Sequence, residues 1–290
     1  MKKCLSVIII LIILTTCLTG CLKSDRMEDI KIATTIYPIE YVTNILYGDH
    51  SEIKSIYPRN SVSTTYKMTE KQLKDFSEYD LFIYNGESKE RNYTTTMLHH
   101  NKHLKIIDAT YGLDTINTSS DIWLNPSNIL MIGQNIKNEL KDYIIADIIK
   151  DEIEEKYRTR LKVDITELET EFKKTADNSV NKRIVVADES LNFLKKYGFD
   201  VINLTSKGQE KQSNIDLAKT LFANKKLSYI FVMEHSQNYD IVNNLKSTYK
   251  VKPLVFRTLD TITEKDMQNN DDYLSIMHNN ISLLQQETYK

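Results

Sequence analysis

Acidic side chains stand shortly after three predicted strands in the second half of the chain. Asp188 follows RIVVA, Glu234 follows LSYIFVM, and Asp260 comes soon after KPLVF. In open parallel sheets ligands bind beyond the carboxyl ends of the strands, so these side chains are candidates for one cleft. Asp121 precedes a helix and flanks the only tryptophan. Carboxylates of this kind suit hard divalent cations such as Mn²⁺, Mg²⁺ and Ca²⁺.

Each of these acids also has a structural interpretation. Asp188 is well placed to cap the helix predicted to follow it, and Asp260 could cap a turn. Asp121 could be a solvated loop residue, and Glu234 with His235 could belong to a polar surface loop. The residues alone therefore leave ligand and structural roles open at these positions.

A second group of potential metal ligands is the histidine cluster in MLHHNKH, which contains His99, His100 and His103. It falls in the connection between a predicted helix and the strand LKIID. That connection lies at the amino end of the strand, on the edge of the sheet opposite to the cleft. We therefore interpret the three histidines as solvated loop residues, with adventitious metal contact as the alternative.

Composition argues against several classes of function. The formal net charge of −2 and pI near 6.3 give no basic surface for nucleic acid. Seven glycines form neither GxGxxG nor GxxxxGK[ST], so no nucleotide site is visible. A two-lobed hydrolase would use the acids as general acid and base, but no nucleophile with its base is recognisable. The chain is predicted not to be an enzyme.

Strand-like and helical segments alternate along both halves of the chain, which is typical of parallel sheets with helices on both faces. Between them, from about Asp151 to Ala176, apolar residues recur every three or four positions without Gly or Pro. This spacing predicts one amphipathic helix roughly 39 Å long at 1.5 Å per residue. The predicted fold class is α/β, with two doubly wound parallel-sheet lobes joined by one long helix.

The N-terminal residues are typical of an export signal. MKK is followed by an apolar run from Leu5 to Leu14 and by LTGC, which ends at Cys21. About ten apolar residues are too few to span a bilayer. LTGC resembles the lipobox of bacterial lipoproteins, in which the cysteine becomes the lipid-modified N-terminus; an ordinary signal with an incidental cysteine is the alternative. Cleavage would leave a single cysteine, so no internal disulfide is expected.

Several segments in their order resemble the metal-binding lipoproteins that deliver zinc or manganese to ABC importers, a family also described as streptococcal adhesins. They are TTIYPIEYVTNILYGDH, YDLFIYNGES, LKIIDATYGL, DIWLNPSNILMIGQNIKNEL, YGFDVINL and DDYLSIMHNNISLL. The resemblance runs from about Ile30 to the C-terminus. It implies a rigid helix between the lobes and one divalent metal ion in the cleft between them.

The resemblance also implies a set of candidate metal ligands. They are Thr64, Asp121, Asp188, Glu189 and Asp260. Thr64 and Asp121 stand where the family has histidines, and Asp260 matches its aspartate. The third family position falls on Ala187, immediately before Asp188 and Glu189. Since no histidine occupies an expected position, the set offers oxygen donors, which favours Mn²⁺ over Zn²⁺.

The resulting prediction is an extracytoplasmic solute-binding lipoprotein of an ABC importer, with Mn²⁺ or Zn²⁺ as its ligand. Its expected partners are the permease subunits and the membrane, with no nucleic acid, and the protein is expected to be a monomer. The alternative is a divergent relative that no longer binds metal and acts as an adhesin-like or accessory surface protein. The predicted organisation is a signal over 1–21, a tether over 22–29, an N-terminal lobe over 30–145, a linking helix over 146–178 and a C-terminal lobe over 179–290.

Overall fold

The computed structural model describes residues 26–113, 121–235 and 239–290. These residues contain two four-stranded parallel sheets. The N-terminal sheet has the order β2-β1-β3-β4, with β1 Ile30–Thr34, β2 Ser51–Ser55, β3 Leu81–Tyr84 and β4 Lys105–Asp108. The C-terminal sheet has the order β6-β5-β7-β8, with β5 Arg183–Val186, β6 Asp200–Asn203, β7 Tyr229–Met233 and β8 Lys252–Phe256. The predicted fold class is confirmed.

Each sheet has a point at which the direction of winding reverses. In the N-terminal sheet it lies between β1 and β3, where Ile32 is paired with Leu81. In the C-terminal sheet it lies between β5 and β7, where Val186 is paired with Phe231. The crevice beyond the carboxyl ends of such strands is where ligands bind in open α/β sheets. The loops that follow these four strands therefore define the candidate cleft.

Four helices cover the N-terminal sheet: α1 Tyr37–Tyr47, α2 Glu70–Ser77, α3 Glu90–His100 and α4 Pro126–Tyr143. Their starts follow from local sequence. Thr69 and Gln72 form a reciprocal capping box at α2. The side chain of Asn125 accepts a hydrogen bond from Ser127 N at the start of α4, which also has Pro126 in its first turn.

The predicted linking helix is present and runs over 147–177. It consists of α5 Asp147–Lys156, one π-helical turn Tyr157–Leu161, and α6 Lys162–Asp177. The π turn lies where Gly133 of α4 packs against the helix. A Cβ atom at Gly133 would lie 2.4 Å from Leu161 Cδ2, so this close approach depends on glycine.

The C-terminal lobe differs from the sequence prediction in one helix. ESLNFLKKYG was expected to be helical, and Glu189–Tyr197 forms a 3₁₀ helix that ends at Gly198 with φ 103°. Asp188 caps it, with Oδ1 accepting a hydrogen bond from Ser190 N. The other helices of this lobe are α7 Gly208–Ala223, α8 Tyr239–Tyr249, α9 Glu264–Gln268 and α10 Tyr273–Thr288.

A continuous hydrophobic core joins the N-terminal lobe, the linking helix and the inner face of the C-terminal sheet. In β5, Ile184 and Val186 belong to this core, whereas Val185 belongs to a second core under α7 and α8. This alternation is expected when helices cover both faces of a parallel sheet. Phe172 of the linking helix stacks on Tyr197 with ring centroids 5.1 Å apart, which fixes the helix to the C-terminal lobe.

The beginning of the chain is only partly described. The predicted signal and lipobox, residues 1–21, lie outside the described residues, as do the first residues of the predicted tether. Met27 is buried, and its carbonyl accepts a 2.6 Å hydrogen bond from Tyr47 Oη, so this residue is fixed to the N-terminal lobe. Over the described ranges, every helix is too short or too polar to cross a bilayer.

Candidate metal site

Asp260 is the most enclosed of the candidate acids. It lies in the turn after β8, is 3% exposed, and has partners in both lobes. Its Oδ1 accepts hydrogen bonds from Thr258 Oγ1 at 2.8 Å and from Thr261 N at 3.0 Å. Its Oδ2 accepts one from Ser63 N of the N-terminal lobe at 2.9 Å. The preceding Leu259 has φ 63°, an uncommon backbone conformation for leucine that the surrounding contacts hold in place.

Glu234 lies beside Asp260 because β7 and β8 are neighbours in the sheet. Its Oε1 accepts hydrogen bonds from Thr258 N at 2.7 Å and from Thr258 Oγ1 at 2.8 Å. Its Oε2 forms a close ion pair with Arg257, with 2.7 Å between Oε2 and Nε. The side chain of His235 is exposed next to it.

Glu234, His235 and Asp260 each offer one ligand atom, and the three atoms lie within 4.8 Å of one another. Throughout the described ranges, this is the one group of three or more His, Cys, Asp or Glu residues with such spacing. Its members come from two consecutive positions after β7 and one after β8. The triad is therefore built at the carboxyl edge of the C-terminal sheet.

Asp121 reaches the same cleft from the segment before α4. Its Oδ2 accepts a 2.8 Å hydrogen bond from Ser190 Oγ, and Ser190 N donates to Asp188 Oδ1 at 2.9 Å. Burial raises the pKa of Asp121 to about 7. The hydrogen bond from Ser190 opposes this increase, and the negative charges of Asp188, Asp260 and Glu234 add to it. These four acids thus share one electrostatic environment.

Trp123 connects the segment of Asp121 to the C-terminal lobe. Its side chain is buried, and Nε1 donates a 2.6 Å hydrogen bond to Thr258 O. Its own carbonyl accepts a 2.8 Å hydrogen bond from Tyr273 Oη of α10. These hydrogen bonds fix the loop that carries Asp121 beside the turn that carries Asp260.

The predicted ligands fall into two groups. Asp121, Asp188 and Asp260 are brought together in the cleft, where Asp188 also has the capping role considered from the sequence. Thr64 is exposed on the rim, and its carbonyl lies 3.2 Å from Lys89 Nζ. Glu189 is half-buried, and among the described residues no hydrogen bond or ion pair joins its side chain to the other acids.

For Glu234 and His235 the sequence left a polar surface loop as one interpretation, and the structure places both residues beside Asp260. Glu234 stands immediately after β7, a strand at the winding reversal, where the rule for parallel sheets places cleft residues. The histidines of the MLHHNKH segment lie away from this group. His99 and His100 belong to the last turn of α3 rather than to a loop, and His100 Nε2 is 2.9 Å from Glu70 Oε1.

The donor set fits a dication. Thr258 Oγ1 lies 2.8 Å from both Glu234 Oε1 and Asp260 Oδ1. A hydroxyl group has one proton, so it can donate to only one of these oxygens at a time. Glu234 and Asp260 are among the negative charges that raise the pKa of Asp121, so negative charge gathers at this point of the cleft. Carboxylates that repel one another in this way favour a bound cation or proton.

Two parallel-sheet lobes bridged by a long helix, with acids gathered at the strand ends between them, define a two-lobed solute-binding fold. The family model described as zinc-uptake complex component A, periplasmic (ZnuA) matches residues 32–287. The chain belongs to this family, which comprises zinc and manganese substrate-binding proteins of ABC transporters.

Curated relatives are similar along most of their length. The high-affinity zinc uptake system protein ZnuA of Bacillus subtilis is 20% identical, with 90% of this chain and 88% of the relative covered. The manganese ABC transporter substrate-binding lipoprotein PsaA of Streptococcus pneumoniae is 24% identical, with 97% of each covered. The chain spans 58% of the zinc-binding lipoprotein AdcA of Streptococcus pneumoniae, at 23% identity. These names are those of transporter components rather than enzymes.

Solved structures show the same fold. The Zn(II)-bound ZnuA-like domain of Streptococcus pneumoniae AdcA has a TM-score of 0.72 at 20% identity, covering 90% of this chain and all of that one. The metal-dependent lipoprotein YcdH of Bacillus subtilis has a TM-score of 0.73 at 18% identity, with the same coverage. The likeness therefore extends over both lobes and the linking helix.

Proposed function

We propose that the protein is the extracytoplasmic solute-binding lipoprotein of an ABC importer, and that it binds one divalent metal ion as cargo in the cleft between its lobes. The observation that carries this proposal is the triad of Glu234, His235 and Asp260, with ligand atoms within 4.8 Å of one another. The names of the relatives indicate zinc or manganese as the class of cargo.

In this proposal Glu234, His235 and Asp260 hold the ion directly, and Asp121 contributes a further oxygen from the other side of the cleft. Of the ligands predicted from the sequence, Asp121 and Asp260 are retained. Asp188 acts through Ser190, which contacts both Asp188 and Asp121 and so orients the latter. Thr64 and Glu189 lie outside the proposed ligand set.

The donor chemistry favours manganese. Three carboxylates and one imidazole are a harder set than the histidine-rich sites that suit Zn²⁺. The ion pair between Arg257 and Glu234 competes with any metal for the Glu234 carboxylate. It also keeps the empty cleft from accumulating the full negative charge of its acids, because a guanidinium remains charged at all relevant pH values.

The proposal includes attachment to the membrane through a lipid on Cys21. Met27 is bonded to Tyr47 of the N-terminal lobe, and the five residues 22–26 can span at most roughly 18 Å between Cys21 and this contact. The N-terminal lobe would then stay close to the membrane and the permease subunits. We further propose that the protein acts as a monomer, with lobes over 30–145 and 179–290 on either side of the linking helix.

Thermal unfolding tests the proposed site. Metal-free protein beginning at residue 22 should gain about 2.7 kcal/mol of stability when Mn²⁺ is present at one hundred times its dissociation constant. His235→Ala and Glu234→Gln should reduce this gain, since each removes a ligand. His235 is exposed, so its replacement should leave the fold intact.

Glu210→Gln is the matched control, because Glu210 is an exposed acid in the first turn of α7, outside the site. It should show the same gain with Mn²⁺ as the wild type. A wild-type protein whose unfolding temperature does not respond to Mn²⁺ or Zn²⁺ would contradict the proposal. So would equal gains in the wild type and both ligand variants.

A further inference from the structure

Lys89 occupies an unusual position for a cationic side chain. It is the N-cap residue of α3, where the helix dipole disfavours positive charge. Its Nζ nevertheless lies 2.6 Å from Ser63 O, 2.6 Å from Tyr66 O and 3.2 Å from Thr64 O. An ammonium group has three donors, and here all three point to carbonyls of a single loop. Nζ also lies 5.8 Å from the ring centroid of Tyr57.

These contacts must offset two effects that disfavour the charge on Lys89, which are the helix dipole and the partial burial of the side chain. Lys89 is half-buried, and burial is the main cause that lowers its pKa. The neighbouring Glu90 acts in the opposite direction, but its own carboxylate is buried and is bonded to Tyr57 Oη and Ser88 Oγ. Hydrogen bonds from a charged donor are stronger than neutral ones, which explains how the ammonium is retained at this position.

The loop held by Lys89 forms the N-terminal wall of the candidate metal site. We call residues 61–66 the wall segment. Ser63 N donates to Asp260 Oδ2 at 2.9 Å, and Ser61 O accepts a 2.6 Å hydrogen bond from Thr261 Oγ1. The same peptide segment that offers its carbonyls to Lys89 thus offers a backbone N–H to the most buried acid. A small cavity of about 180 Å³ lies beside it, lined by Ser63, Lys89 and Trp123 among others.

We propose that Lys89 is a positioning residue for metal binding: its ammonium holds the wall segment against Asp260 in the absence of cargo. The inference rests on the proposed function and concerns the same site. The wall segment carries no imidazole and no carboxylate, so a bound ion can order it only indirectly, through the hydrogen bond from Ser63 N to Asp260. Lys89 holds the segment from within the protein, and the orientation of Asp260 is set before the ion arrives.

Pre-organisation of this kind increases affinity, because the loop is already ordered and the free-energy cost of ordering it does not reduce the free energy of binding. Lys89→Met keeps the aliphatic part of the side chain and removes the ammonium. The wall segment should then be ordered only when the ion is bound. Mn²⁺ affinity should fall about tenfold, which corresponds to about 1.4 kcal/mol.

Amide hydrogen exchange measures the order of the wall segment directly. In the wild type, the amides of Ser63 and Tyr66 should be protected equally without metal and with saturating Mn²⁺. In Lys89→Met they should exchange quickly without metal and regain protection with Mn²⁺, while amides of β5 remain unchanged. Lys67→Met is the matched control, because Lys67 is an exposed lysine just after the wall segment, and it should behave as the wild type.

Two results would overturn the proposal. One is fast exchange of the wild-type wall segment that slows only when Mn²⁺ binds, because the ion rather than Lys89 would then order it. The other is full protection of the wall segment in metal-free Lys89→Met. If the wild type does not bind Mn²⁺, the proposed function and the cargo-binding role of Lys89 fail together. The exchange rates without metal still decide separately whether Lys89 holds the segment.

Discussion

Trp123 Nε1 donates a 2.6 Å hydrogen bond to Thr258 O, and the two residues are 135 positions apart in the chain. This contact joins the loop before α4 to the turn after β8. The indole of Trp123 thus connects the segment that carries Asp121 to the turn that carries Asp260. The acceptor carbonyl belongs to a residue that is 4% exposed. Loss of the donor would therefore leave a buried polar group without its partner.

Trp123→Phe tests this connection. Phenylalanine keeps a large ring and removes the N–H, so we expect the free energy of unfolding to fall by about 1–3 kcal/mol. Urea unfolding of the metal-free protein measures the change. Tyr289→Phe serves as a control at an exposed aromatic position and should be nearly neutral. Equal stability of Trp123→Phe and the wild type would show that the hydrogen bond makes no net contribution.

The raised pKa of Asp121 predicts a specific dependence of stability on pH. The carboxyl retains its proton in the folded state up to about pH 7 but ionises near pH 4 when unfolded. The folded state therefore binds more protons between these values, and the stability contributed by this group falls as pH rises from about 4 to about 7.

Asp121→Asn removes this titration. The stability of the variant relative to the wild type should become more favourable between pH 5 and pH 8, measured as the difference in urea midpoints without metal. Asp75→Asn is a suitable control, since Asp75 is an exposed acid of α2. A difference between Asp121→Asn and the wild type that does not change with pH would contradict the origin assigned to the shift.

Gly133→Ala tests the packing of α4 on the π-helical turn of the linking helix. The new methyl group would lie 2.4 Å from Leu161 Cδ2 and 3.3 Å from Tyr157 Cε2, so the turn must shift. Overpacking of a buried contact costs about 1–3 kcal/mol, and the unfolding temperature should fall accordingly. Gly48→Ala is the control, because φ is −59° there and a Cβ atom would meet its nearest neighbour at 3.4 Å. A larger loss of stability in Gly48→Ala would contradict this account.

Membrane attachment is predicted from LTGC. The wild type should pellet with membranes, whereas Cys21→Ser should accumulate as soluble or unprocessed protein, because the serine cannot carry the thioether-linked lipid. Fractionation followed by intact mass measurement distinguishes the two states. A single acyl chain gives only marginal membrane binding, so stable attachment requires a cysteine that carries at least two chains. Soluble, processed protein from both the wild type and Cys21→Ser would contradict the lipobox prediction.

Local signals made the fold predictable from sequence. The capping box of Thr69 and Gln72 and the regular apolar spacing of the linking helix depend on neighbouring residues only. The π turn Tyr157–Leu161 had no such signal, because it is associated with a glycine on another helix. Similarly, the apolar residues of ESLNFLKKYG are spaced as in a helix. This spacing alone does not distinguish an α helix from the 3₁₀ helix that forms.

The site was predictable in part, for the same physical reason. Asp188 and Glu234 follow strands directly, so the rule for parallel sheets places both at the cleft edge. Local sequence cannot show that Ser190 joins Asp121 to Asp188, since that contact links residues 69 positions apart. His235 has the same local surroundings as a polar loop residue. Its relation to Asp260 depends on the pairing of β7 with β8.

Crystals offer the most direct test of whether one divalent cation binds at Glu234, His235 and Asp260. Anomalous X-ray scattering from crystals grown with Mn²⁺, recorded on both sides of the manganese absorption edge, locates the ion without assumptions about its ligands. We expect one strong peak within coordination distance of the Glu234 and Asp260 carboxylates and the His235 imidazole. A peak at His99, His100 and His103 instead, or no peak in the cleft at millimolar Mn²⁺, would contradict this expectation.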